Sequence, residues 1–504
     1  MRGMRPEERR ERKRPCRPSD PGCVLYSRME PTPAHVRTLF VVFLLAMFPA
    51  GMASRPVADP DTWWHLRVGE TIVETGTFPP TEPFSRYGIE TQKPWIAYSW
   101  LYEVVLYGFW HTGGIVGVLV FRLLMDACTF ATISWVILKR CPSPWMGIGV
   151  LGSITICILP LMAERPWHFT IVFTLLSLEA MLDLRRGGSV RNWAWLPLTY
   201  VLWANIHIQF VMGLGVLGLG LVAGILDRSC GRRAAIGSHL ALLTACFAAT
   251  FANPYTWQLY RIVVEYASET TPLRLVMELR PPDFSHWANW PLVGLLLLAG
   301  VSLATRGFPL MPTLLLLTGL VFSMRMQRDI WFGAVLSGYA LCRSDSPLLP
   351  DAFDKLRSPR RLAQAIVCGF ALMAGLRAGF QTSSPGADEA KKDYPVEAVE
   401  FVRANPLPGP MYNDFTWGGY LIWNLREYPV SMDGRTNLHG EVRLQRSFDT
   451  WGGLAGWDTD PELLEAGFVL AAKGMPLSDL LRTDARFRIA YEDDTAIVFV
   501  RVRG

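Results

Sequence analysis

Apolar segments recur along almost the whole of this 504-residue chain, and they limit what it can fold into. A helix needs about 20 largely apolar residues to cross a bilayer. Eleven segments approach that length, several only narrowly: 38–54, 113–138, 145–162, 168–184, 193–209, 211–227, 237–252, 291–304, 309–324, 330–342 and 362–380. The expected fold is a polytopic α-helical membrane protein of about 11 spans. Hydrophobic residues make up 50% of the chain and the mean hydropathy is +0.21, too apolar for an ordinary soluble protein of this size. The 19 Trp and 15 Tyr suit the aromatic belts at membrane interfaces.

Positive charge orients the spans. With the N-terminus inside, the short inner loops 139–144, 185–191, 228–236, 305–308 and 343–361 hold 14 Lys or Arg. The short outer turns 163–167 and 325–329 hold three, Arg165, Arg325 and Arg328. Positive charge prefers the cytoplasm, so the assignment is self-consistent, and an odd number of spans puts the C-terminus outside. Residues 1–37 carry ten Lys or Arg and read as a cytoplasmic, disordered, topology-setting arm rather than a nucleic-acid-binding tail. The length of this arm favours an uncleaved first helix over a signal peptide cut near Ala53. The nine Cys are scattered with no C-x-x-C pair, which supports neither a disulfide framework nor a zinc site.

Three parts follow: the arm 1–37, a transmembrane domain 38–380 with a first outer loop 55–112, and an extracytoplasmic α/β domain 381–504. The last contains strand-like runs at 487–491 and 496–500. The aromatic stretch from Trp95 to Trp110 is expected to lie along the membrane surface before the chain turns inward.

The first outer loop opens with Asp59-Pro60-Asp61-Thr62-Trp63-Trp64-His65-Leu66. Asp61 suits the N-cap of a helix running towards Glu74, and a carboxylate at a loop–helix junction can act as base or metal ligand. Other polar residues fall at outer helix ends: Glu164, Arg165 and His168; Asn205, His207 and Gln209; Asn253; Arg325, Arg328 and Asp329. Ionisable groups beside a bilayer are expensive and usually functional. Each has a plainer reading. Glu164 can pair with Arg165 at a turn, Asn205 with His207 between helices, and the arginines can reach to the interface. Arg325 and Arg328, three apart, can also share a helical face and clamp a phosphate.

These residues resemble the GT-C glycosyltransferase superfamily, polytopic enzymes that take sugars from polyprenyl-phosphate or -pyrophosphate carriers at the outer membrane face. An Asp in the first outer loop marks such proteins, followed by an aromatic-rich helix and a Gly. Here Asp61 is followed by Trp63, Trp64, His65 and Gly76, and Trp100-Leu101-Tyr102-Glu103 is similar to the surface helix of that loop. The further motifs Arg165-Pro166, Trp203–His207 and Asn413–Leu421 extend the resemblance over nearly the whole chain. Family members often carry Asp-Glu where Asp61-Thr62 stands, so Asp59 and Asp61 both remain candidates for the base, with spacing in favour of Asp61.

The resemblance implies a lipid-linked donor sugar with its phosphate near Arg325 and Arg328. Asp61 would deprotonate an acceptor hydroxyl, or Asp61 and Asp59 would ligate a divalent cation, Mg or Mn. Glu164, Arg165, His168, His207, His65, Trp63 and Glu103 are candidate substrate-binding residues. The partners it implies are the bilayer, a polyprenyl-phosphate-linked sugar, and a glycan, lipid or protein acceptor, with no nucleic acid. The expected site is a bacterial inner membrane. Asn413–Tyr420 and Met432-Asp433-Gly434-Arg435 read either as glycan- or acceptor-binding segments or as structural turns. A transporter or flippase of a lipid-linked or sugar substrate, and a non-catalytic scaffold of the same fold, are the alternatives.

Overall fold

The computed structural model describes residues 57, 59–141, 144–226, 233–268, 270–342 and 393–502. The basic arm, the expected spans 38–54 and 362–380, and the start of the expected C-terminal domain lie outside these residues. Every expected span between them coincides with a helix. Three helices are long and apolar enough to cross a membrane: Trp100–Leu138, Trp167–Arg185 and Trp287–Ala304. Met146–Leu161, Phe210–Leu226, Ile236–Ala249 and Leu310–Arg325 are shorter apolar helices. The described residues therefore hold fewer full-length spans than expected. Part of the reason is local: Leu196–Ile206 ends where His207 turns to extended backbone. Ile330–Cys342 is only 13 residues long but buried at every position, so neighbouring helices rather than solvent surround its backbone. Leu297, Leu298, Val301, Val222 and Leu226 are exposed on the outside of the bundle, as a lipid-facing surface requires.

Trp100–Leu138 is not one rod. At 39 residues a straight helix would be about 58 Å long, far beyond the ~30 Å hydrocarbon layer. Gly114 breaks it, with φ 56° and ψ −138°, a conformation open essentially to glycine alone. The chain folds back there. A Cβ on Gly117 would lie 1.9 Å from the Phe109 carbonyl oxygen, and the Phe109 and Phe121 rings meet at 5.1 Å. The first half then packs on the Pro60–Thr75 helix, where Gly69 permits close approach: its Cβ would sit 2.1 Å from the Glu103 carbonyl oxygen.

The C-terminal part carries a four-stranded mixed sheet in the order β1-β2-β4-β3: β1 Met411–Asn413, β2 Phe468–Ala472, β3 Phe487–Glu492 and β4 Ala496–Arg501. β1 runs parallel to β2, whereas β2–β4 and β3–β4 are antiparallel. The two runs read as strand-like form the β3–β4 hairpin, with Asp493 Oδ1 accepting from the amides of Thr495 and Ala496 at 2.7 Å each. One apolar core joins this part to the first loop. Trp63 stands edge-on to Tyr394 and Tyr420, at 5.8 and 5.4 Å, and Leu66 and Val68 share that core with Leu421 and Val430. The loop also pairs with it through the backbone: Arg86 N donates to Val430 O at 2.9 Å and Val430 N to Phe84 O at 3.2 Å.

Candidate functional site

Asp59, not Asp61, caps the Pro60–Thr75 helix, and its Oδ1 accepts from Asp61 N at 2.9 Å. Pro60 takes the first helical position, where its missing N–H costs nothing, so the cap falls two residues earlier than expected. This leaves Asp61 in the first turn, facing out of the helix end beside Asp59.

Both carboxylates meet Arg165, which leads into the Trp167–Arg185 helix. Arg165 Nε donates to Asp59 Oδ2 at 2.6 Å, and its Nη1 donates to Asp61 Oδ2. The Trp167 ring underlies the guanidinium at 5.2 Å. Glu278 stands 3.9 Å from Arg165 Nη2 and 3.9 Å from Arg328 Nη1, between the two. Three carboxylates and two guanidiniums thus share one patch. Burial pushes the Asp59 carboxyl up to about 7 against the pull of Arg165, and neighbouring Asp61 raises it further. Burial also raises Asp61, again against Arg165. Burial, then Arg165, holds His65 well below its usual range, so it is neutral at pH 7.

The remaining sequence candidates are distributed around this centre. His65 Nδ1 lies 3.0 Å from Glu103 Oε1, and its ring packs on Trp64 at 3.6 Å. Glu164 pairs with Arg122 at 2.8 Å rather than with its neighbour Arg165, and Thr62 donates to it at 3.4 Å. His168 contacts Thr129 at 3.0 Å and the Ala163 carbonyl at 2.9 Å, and His207 contacts Thr170 at 2.8 Å. Asn205 bonds Trp100 and the Ala252 carbonyl instead of His207. Arg325 does not join Arg328: it is exposed and donates to the Ala267 carbonyl at 3.4 Å. Helix Leu310–Arg325 ends at Met326, whose extended backbone separates Arg325 from Arg328.

The C-terminal segment closes over the same carboxylates. A Cβ on Gly434 would lie 2.1 Å from Asp61 Oδ1, and one on Gly419 would lie 2.1 Å from the Pro60 carbonyl oxygen. The Asp433–Arg435 turn is held from both sides. Arg435 Nη2 reaches Asp433 Oδ2 at 2.7 Å and Glu82 Oε1 at 2.8 Å, amid the rings of Trp64, Phe84 and Trp95. Burial opposes a charged Asp433, but Arg435 and His439 hold it well below the usual carboxylate range.

The donor set does not suit a resident Mg or Mn ion as it stands. One oxygen of each Asp faces Arg165, and no group of three or more His, Cys, Asp or Glu among the described residues is arranged to hold a metal ion. The guanidinium occupies the position between the carboxylates that a cation would need.

Sequence reasoning passed over Arg122, Asp126, Glu82 and Glu278. Arg122 and Asp126 lie within the expected span 113–138, where a charge is itself a signal. Glu82 and Glu278 sit in polar loops and carry no such mark.

No family model matches the sequence, and no curated protein does. Solved structures do. The oligosaccharyltransferase AglB from Archaeoglobus fulgidus, in complex with an inhibitory peptide and a dolichol-phosphate, matches with a TM-score of 0.51 at 12% identity over 87% of this chain and 69% of that one. The Archaeoglobus fulgidus oligosaccharyltransferase tethered with an acceptor peptide matches with a TM-score of 0.52 at 11% identity, over 93% and 74% of the two chains. ArnT from Cupriavidus metallidurans, bound to undecaprenyl phosphate, gives a TM-score of 0.45 at 13% identity over 93% and 97%. At these identities the likeness concerns the fold, and the two oligosaccharyltransferase structures carry it. The chain has the fold of these two oligosaccharyltransferase structures.

Proposed function

We propose that this protein is a membrane glycosyltransferase that moves a sugar from a polyprenyl-phosphate-linked donor to an acceptor at the outer face of the membrane. One observation carries the reading: two partly buried carboxylates, Asp59 and Asp61, are held on Arg165 beside a second guanidinium, Arg328, at the mouth of a GT-C-like bundle. An oligosaccharyltransferase of this fold binds dolichol-phosphate, which is the class of ligand assigned here.

Asp61 acts as the base. Asp59 has one oxygen on the helix cap and the other on Arg165, whereas Asp61 Oδ1 makes neither contact. Asp61 takes the proton of an acceptor hydroxyl as that oxygen bonds to the anomeric carbon and the bond from sugar to phosphate breaks. Arg328 receives the phosphate charge that develops, replacing its distant contact with Glu278. Arg165 keeps the two carboxylates in place. Trp63 is committed to the shared aromatic core rather than to a sugar ring. The chain is organised as a cytoplasmic arm 1–37, a membrane domain 38–380 and an outer domain 381–504, in a bacterial inner membrane.

The test begins with the lipid-linked glycan that copurifies with the protein, identified by mass spectrometry and then used as donor. Asp61→Asn should abolish transfer while donor binding persists. Unchanged transfer by that variant would remove Asp61 as the base. Movement of the intact donor across a liposome membrane, without transfer, would favour a flippase.

A further inference from the structure

Both C-terminal motifs left open by the sequence end at the same place, the first turn of the helix that carries Asp59 and Asp61. Asn413, at the end of β1, holds the segment leading into the turn: its Nδ2 donates to the Met432 carbonyl at 2.9 Å, and its Oδ1 accepts from Ser431 N at 2.8 Å. Asp433 then accepts from Arg435 N at 2.9 Å, which closes a tight turn with Gly434 at its tip. Gly418 lies under it, since a Cβ there would meet the Met432 carbonyl oxygen at 2.2 Å. Arg435 ties the turn to the first outer loop through Glu82, which also accepts from the amides of Phe84 and Ser85 at 2.8 and 2.9 Å. The backbone bonds between Val430 and the Phe84–Arg86 stretch fix the same join.

We infer that the Asp433–Arg435 turn is a positioning element for Asp61: the bare backbone of Gly434 confines the Asp61 carboxylate against Arg165, and Arg435 locks the turn in that position through Asp433 and Glu82. The space is specific to this carboxylate. The three atoms nearest a Cβ on Gly434 would be Asp61 Oδ1, Cγ and Oδ2, at 2.1, 3.1 and 3.4 Å. A side-chain tip normally swings aside from such a contact, but Asp61 Oδ2 is bonded to Arg165, so any movement disturbs that bond. The outer C-terminal segment is thereby part of the site. What the placement of Asp61 serves rests on the glycosyltransferase reading; the placement itself does not.

Carboxyl labelling with a carbodiimide and glycine ethyl ester, read residue by residue by peptide mass spectrometry on the detergent-solubilised full chain, tests the link without a substrate. In the wild type, Asp61 should label slowly and exposed Asp494 quickly. Gly434→Ala should raise Asp61 labelling several-fold while Asp494 is unchanged and buried Asp460, in the same part of the chain, stays protected. Arg435→Lys keeps the charge but loses the forked contact to Asp433 and Glu82, and should raise Asp61 labelling in the same direction. It serves as the test if Gly434→Ala does not accumulate. Wild-type labelling of Asp61 in a folded Gly434→Ala or Arg435→Lys protein overturns the inference, and so does loss of protection at Asp460 together with Asp61, which would mean general loosening. Asp61→Asn transfer activity is read separately, so failure of the enzymatic reading leaves the labelling result intact.

Discussion

Arg165 donates from Nε to Asp59 Oδ2 at 2.6 Å while its Nη1 holds Asp61, so a single guanidinium serves two partly buried carboxylates. Two negative charges on one positive charge leave the pair short of compensation in a place where burial already penalises ionisation. That shortage makes the pair sensitive to pH.

The acid limb of the transfer rate should lie above the ordinary carboxylate range, because the base must be ionised and burial raises both Asp59, to about 7, and Asp61. Stability follows the opposite sign. The folded state holds a proton on Asp59 that the unfolded chain has released, so this contribution is present below about pH 4 and lost as pH rises through about 7. Arg165→Gln removes the charge that pulls both carboxyls down. Its pH–rate profile should shift its acid limb to higher pH, and an unmoved limb would show that the titrating group lies elsewhere.

Arg328 and Arg325 should separate cleanly. Arg328 faces Glu278 and, beyond it, Arg165, whereas Arg325 is exposed and bonds a distant carbonyl. A hydrogen bond to a charged group is worth about 1.5–3 kcal/mol, so Arg328→Gln should weaken binding of dolichol phosphate or undecaprenyl phosphate about 10-fold or more. Arg325→Gln should leave it near the wild-type value. Equal losses, measured by titration calorimetry in detergent, would restore the two-arginine clamp.

Glu82 is fully enclosed and accepts bonds from two amides, the Ser85 hydroxyl and Arg435. Removing it leaves Arg435 on Asp433 alone and strands the buried amides and hydroxyl without an acceptor, at about 1–3 kcal/mol for each such group. Glu82→Ala should therefore lower the thermal midpoint far more than alanine at exposed Glu90, which pairs with Arg86 at the surface. Similar midpoints for the two variants would show that the donors around Glu82 find other acceptors.

Gly114→Ala tests the reversal between the two halves of the Trp100–Leu138 helix. Nothing lies within 4 Å of a Cβ placed there, so the cost is one of backbone conformation alone, about 1–3 kcal/mol. Gly117→Ala has ordinary helical backbone but meets the Phe109 carbonyl, so it should destabilise through the contact between the halves. Thermal melts of both variants read the two effects, and a neutral Gly117→Ala would mean the halves are not packed at that point.

What the sequence made legible was local. The lengths of the apolar runs located the helices, and the strand-like runs 487–491 and 496–500 fall in β3 and β4. Asp59-Pro60-Asp61 stood out because two carboxylates beside an apolar run are costly. The cap falls on Asp59 rather than Asp61 because Pro60 takes the first helical position. The Arg325/Arg328 pair looked like one face of a helix, but that helix ends between them at Met326. The approach of Gly434 to Asp61 and of Arg122 to Glu164 joins segments far apart in the chain, and no local pattern encodes such a meeting. Glycines at 418, 419 and 434 were visible as turn residues; only the packed structure shows which neighbour needs each missing side chain.

The Arg122–Glu164 pair lies directly behind the carboxylates, at 2.8 Å, with both side chains almost wholly enclosed. Such a pair is weak evidence for stability, since desolvation offsets much of its attraction. Arg122→Met alone should cost about 3–5 kcal/mol, because Glu164 is left as a buried charge. The double variant Arg122→Met/Glu164→Leu removes both charges and should recover most of the lost stability. If the pair served packing alone, transfer would recover as well. Because Glu164 also receives the Thr62 hydroxyl next to Asp61, transfer in the double variant should stay depressed although the melt recovers. Recovery of both together, in parallel melting and transfer assays, would reduce the pair to a structural brace.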